Sequence, residues 1–130
     1  MGARLRYAKV IDRELFYTKA RGRVHPHLEN RVFVRNEPGT TAAFLVIRGW
    51  GDDHGTFTER WKLQGPGGLT LYESLPREVH VATAAHTEQL EDEIADLEVD
   101  AASDDYTVVF YLDDREVARV QFEVALNGTS

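Results

Sequence analysis

His25-Pro26-His27 holds the residues best suited to chemistry in this chain. On extended backbone, positions i and i+2 point to one side, and two imidazoles so placed begin a zinc site. A third ligand would have to come from His54, Asp52 or Asp53, which requires two loops to converge. The plainer reading is a polar loop stiffened by proline. Gly51-Asp52-Asp53-His54-Gly55 is similar. Paired carboxylates on a loop suit calcium, but the spaced oxygen ligands of a calcium loop are missing, and the composition is that of a tight turn.

A second group is acidic. Glu88, Glu91, Asp92 and Glu93, with Asp96, Glu98 and Asp100 beyond, offer a docking surface for a basic partner; the plainer reading is a solvated face. Among the aromatics Trp50, Trp61, Tyr72 and Tyr111, core packing is the default. Trp50, at a strand end beside a loop, is the expected exception and joins the partner-binding set. Gly65-Pro66-Gly67-Gly68 lacks the Lys-Ser/Thr end of a phosphate loop. With no cysteine, and with Ser74, Ser103 and Ser130 outside any nucleophile-elbow context, hydrolytic chemistry has no candidate nucleophile. The expectation is a chain without catalysis and without a cofactor.

Composition narrows the classes further. At 130 residues the chain suits one domain with a proper core, its first 20 or so residues being the hardest to assign and 126–130 a tail. A net charge of −7 argues against general nucleic-acid binding. No apolar run has the length of a membrane span or a signal peptide, so a cytoplasmic protein with no membrane partner is expected. Asn127-Gly128-Thr129 matches a glycosylation sequon by chance.

The elements that must position these residues are mostly strands. Tyr106-Thr-Val-Val-Phe-Tyr-Leu112 is β-branched or aromatic throughout, with Tyr106, Val108, Phe110 and Leu112 on one face and Thr107, Val109 and Tyr111 on the other. Asp113-Asp114 turns the chain. Ala118, Val120, Phe122 and Val124 then alternate with Arg119, Gln121 and Glu123, completing an antiparallel hairpin. Upstream, 4–18 fits helix and strand equally, with β structure favoured, and 31–35 is a short strand before the turn at 36–39. Residues 42–72 read as a three-stranded meander, in which Phe57, Glu59, Trp61 and Leu63 face inward. A further strand covers 78–83. Leu90, Ile94 and Leu97 have helical spacing, which favours a short helix or turn over 86–93 and then a strand.

Short strands with turns every eight to twelve residues indicate an antiparallel β-sandwich or barrel. The Tyr106 strand, its turn, the charged-apolar last strand and Trp61 resemble small bacterial immunoglobulin-like domains of unknown function. That resemblance implies an immunoglobulin-like sandwich of seven to nine strands with at most one short helix; the cysteine pair of antibody domains is absent. Three functions fit: an interaction module using the acidic surface, a small-ligand or metal-binding sandwich using His25, His27 and His54, or a structural subunit forming a homodimer.

Overall fold

The computed structural model describes residues 3–25, 27–36, 39–99 and 103–126. Pro26, the Glu37-Pro38 centre of the expected turn and the Asn127 sequon lie outside the described residues. The described chain forms β1 (Arg4–Asp12), α1 (Arg13–Thr18), β2 (Arg31–Asn36), β3 (Thr40–Thr41), β4 (Phe44–Gly51), β5 (Gly55–Gln64), β6 (Thr70–Glu73), β7 (Arg77–Val81), β8 (Glu88–Ile94), β9 (Ser103–Leu112) and β10 (Arg115–Leu126). All ten strands join one sheet in the order β6-β5-β9-β10-β2-β1-β4-β8, with β3 added to β2 and β7 added to β5.

The fold is all-β, as expected, but the sheet is mixed. β2 runs parallel to both β1 and β10, and every other pairing is antiparallel. The reason lies in the first 18 residues. Among the described residues there, β1 is the one strand; α1 follows it and supplies the long crossover that a parallel β1–β2 pair requires. Asp12 caps α1, its Oδ2 accepting the Leu15 N–H at 3.0 Å.

The hairpin of β9 and β10 is as the alternation predicts. Tyr106, Val108, Phe110 and Leu112 are buried together with Phe122 and Val124. Asp113 and Asp114 both take left-handed backbone (φ 51° and 66°), the conformation of a two-residue hairpin turn whose twist matches its strands. β9 is central, between β5 and β10, and its outer face is covered as well, since Val109 is fully buried and Arg60 lies over the Tyr111 ring at 4.9 Å.

Two expectations are corrected. Residues 42–72 are not a meander: β4 pairs with β1 and β8, whereas β5 pairs with β6, β7 and β9. The turn at 52–54 makes an arch rather than a hairpin, so β4 and β5 meet through side chains instead of backbone. Residues 86–93 do not form a helix either. β8 is a strand, with Glu88, Leu90, Asp92 and Ile94 turned inward in a period of two. Leu90 and Ile94 satisfy both periods, and the inward position of Asp92 is tolerated because cations wait there.

The sheet folds back on itself, bringing the inner face of β4 onto β9 and β10. The Trp50 and Phe110 rings meet edge to face at 6.4 Å, and Phe44 meets Phe122 at 6.4 Å. Among the described residues no backbone ladder joins β8 to β5 or β7; side chains close that gap. Arg48 and Glu59, each only 1% exposed, bind by Nε to Oε2 at 2.8 Å and Nη2 to Oε1 at 2.5 Å. Trp50 Nε1 also donates to Glu59 Oε2. Asp92 Oδ2 accepts from Trp61 Nε1 at 2.8 Å and pairs with Arg48 Nη1 at 3.1 Å, while its Oδ1 accepts from Arg77 at 2.9 Å. No buried side-chain polar atom among the described residues lacks a partner. That completeness is what makes buried charge tolerable.

Candidate functional site

Over β1 and β4 the outer face of the sheet is covered by α1 and the segment after it. Phe16 and Ala20, from α1 and the turn after it, pack on Ile11, Leu45 and Ile47, with Leu15, Val24 and Leu28 beside them. Where that cover stops, a groove of about 760 Å³ opens, lined by Arg6, Tyr7, Ala8, Lys9, Gly22, Arg23, Val24, His25 and Gln89.

A backbone irregularity builds its floor. The β1–β4 register shifts between Leu5 and Tyr7, so Arg6 is the extra residue of a bulge. Leu5 packs against the inner core while Arg6 and Tyr7 both lie on the outer face, the kind of re-aiming a bulge permits. Two glycines of β4 receive them. A Cβ on Gly49 would lie 2.5 Å from the Tyr7 ring, and one on Gly51 would lie 2.4 Å from Arg6 Nε. The phenol ring therefore lies across the backbone of its cross-strand partner, and its hydroxyl donates to Gln89 Oε1 on β8. Burial, and then the charge of Glu91, hold the Tyr7 hydroxyl above its ordinary pKa, so it stays a donor.

The walls are cationic. Arg6 is fixed: Nε and Nη2 bind Asp52 Oδ1 at 3.0 and 2.7 Å, Nη1 binds Thr87 Oγ1 at 2.7 Å, and Nη2 reaches Ala84 O at 3.0 Å. Lys9 Nζ donates to Leu28 O at 2.7 Å. The Arg23 guanidinium is exposed and has no partner among the described residues. Among the described residues no carboxylate lines the groove itself, though Asp52 pairs with Arg6 behind it.

The residues singled out from sequence fall in different places. His25 lines this groove, His27 lines a second one with Arg31 and Glu123, and His54 sits exposed at the β4–β5 turn beside Asp53. Among the described residues no three His, Asp or Glu side chains gather as a metal site. The acidic set does not share a surface. Glu91 and Glu93 face outward, Glu93 pairing with Arg13 at 3.0 Å, while Glu88 and Asp92 face inward. Trp50, expected at the surface, is fully buried, because the arch folds its strand end under β9. Trp61 is buried too, with the half-open Tyr72 stacked on it at 5.2 Å.

The groove itself was not anticipated, although a signal existed. Residues 1–35 carry nine of the fifteen Lys and Arg but three of the twenty-two Asp and Glu. A whole-chain charge of −7 hides that asymmetry.

No protein-family model matches the chain, and no curated protein matches it. Among solved structures it is similar to the alkylpurine DNA glycosylase AlkC of Pseudomonas fluorescens bound to DNA containing an abasic-site analogue. The identity is 7% and the TM-score 0.55, over 95% of this chain. The chain spans 30% of that protein's length, and the likeness is one of fold. Among the described residues no helix is long and apolar enough to cross a membrane.

Proposed function

We propose that this protein is a non-catalytic binding module whose working surface is the groove over the outer face of β1. The supporting observation is construction: the β1 bulge and the side-chain-free positions 49 and 51 together create a concave site of the size ligand pockets have. The finer fold reading, an immunoglobulin-like sandwich, belongs to the same proposal and rests on the Tyr106 hairpin and the Trp61 core.

The test is an amide NMR titration with a mixed panel of neutral, cationic and anionic small molecules. Saturable shifts confined to residues 6–9, 22–25 and 89 for at least one compound are expected. If no compound moves those amides, the groove is not the working surface.

A second reading has its own observation. β8 is an edge strand presenting Gln89, Glu91 and Glu93 outward. A basic extended segment could add to that edge as a further strand. Its signature would be exchange protection of β8 amides on adding a basic peptide.

A further inference from the structure

Resting on that reading, we infer that the groove takes a small anion attached to a planar ring, of roughly mononucleotide size. Three observations converge. The floor is a phenol ring set against Gly49 and pinned at its hydroxyl by Gln89. Such a fixed aromatic surface favours stacking of a planar group, at low cost in conformational entropy. The walls supply Arg6, Lys9, Arg23 and His25, and among the described residues no carboxylate lines the site. The acids nearest the groove are Asp52, paired with Arg6 behind the rim, and Glu91, one row on and accepting from Gln89 Nε2 at 3.4 Å; Glu93 lies a further row away and pairs with Arg13.

The cations divide by role. Arg6 is fixed by Asp52, Thr87 and Ala84, its charge offset by the Asp52 carboxylate, and Lys9 is tied to Leu28, so both are held at the rim. Arg23, exposed and without a partner among the described residues, is the donor left to close on an anion. A guanidinium fork binds phosphate or carboxylate through two parallel hydrogen bonds. The ring on the floor and the fork on the wall select different parts of one ligand, so neither part alone should bind well.

Titration of the full chain with adenosine monophosphate and 2-naphthyl phosphate, against adenosine and inorganic phosphate, separates the parts. The two ring phosphates are expected to give saturable shifts at Tyr7, Arg23 and Gln89, and adenosine or phosphate alone to bind at least about tenfold more weakly. Arg23→Glu, a surface change, should weaken ring-phosphate binding by about tenfold or more and leave the melting temperature unchanged. Tyr7→Leu should weaken it too, with its folded spectrum as a control. Equal binding of adenosine, or indifference to Arg23→Glu, overturns the inference. So does failure of both ring phosphates up to about 5 mM, a limit corresponding to the weakest useful affinities. If a neutral or cationic compound occupies the groove while both ring phosphates fail, the ligand class is wrong and the binding module stands.

Discussion

Glu59 serves Arg48 and Trp50 with the same carboxylate: Oε1 and Oε2 take the guanidinium fork, and Oε2 also takes the indole N–H. Neither Arg48 nor Glu59 reaches solvent. Removing Glu59 leaves the sealed-in Arg48 with Asp92 alone and strips the Trp50 N–H of its acceptor. Glu59→Leu is therefore expected to cost about 3–5 kcal/mol in urea unfolding. A single variant within about 1 kcal/mol of the parent would refute the sealed-pair account.

Asp92 links this pair to pH. Burial works against its ionisation, but Arg48, the Trp61 N–H and Arg77 outweigh burial and hold the carboxyl below its ordinary value. A depressed native pKa contributes stability above the unfolded value, near 3.9, and that stability disappears as pH falls through the native value. Asp92→Asn should flatten this acid limb in melting curves taken between about pH 2 and 5. An unchanged acid limb would show that Asp92 does not carry it.

Asp12 behaves oppositely. Burial, aided by Glu14, raises its pKa against the pull of the Leu15 and Glu14 amides. A raised native value means stability present below the unfolded pKa and lost as pH rises through the native one. Asp12→Asn keeps the cap without the charge, so it should match or exceed parent stability at neutral pH. Asp12→Ala should lose about 1 kcal/mol at any pH. Equal loss in both variants would contradict the raised pKa.

Gly49 is the hinge of the groove. Gly49→Ala sets a methyl against the Tyr7 ring, and overpacking of this kind costs about 1–3 kcal/mol. The same change should move the Tyr7 resonances and abolish groove binding. An unshifted Tyr7 ring would mean that the floor is not held by this contact.

Much of the interior was legible in sequence. Strict alternation through 57–63 places Glu59 on the core side beside Trp61 and Leu63. What alternation could not supply was its partner. Arg48 lies in the apolar run 44–50, where one charge reads as a surface residue, and only the arch at 52–54 brings it opposite Glu59. β8 was misread for the same reason, because Asp92 faces inward only where Arg48 and Arg77 receive it. Tyr7 and Arg6 escaped notice because a bulge breaks the period of two that makes strands visible.

The parallel pairing of β2 bears on how the chain assembles. β2 meets β10 with Arg31 opposite Glu123, so contacts at the middle of the sheet span most of the chain. Loops that long close slowly, and topologies dominated by distant pairings fold in milliseconds to seconds rather than microseconds. Until β10 is in place, β2 keeps an unsatisfied edge in the centre of the molecule, the kind of surface that invites pairing with another chain. Self-association is thus a hazard of the nascent or refolding chain more than of the finished one.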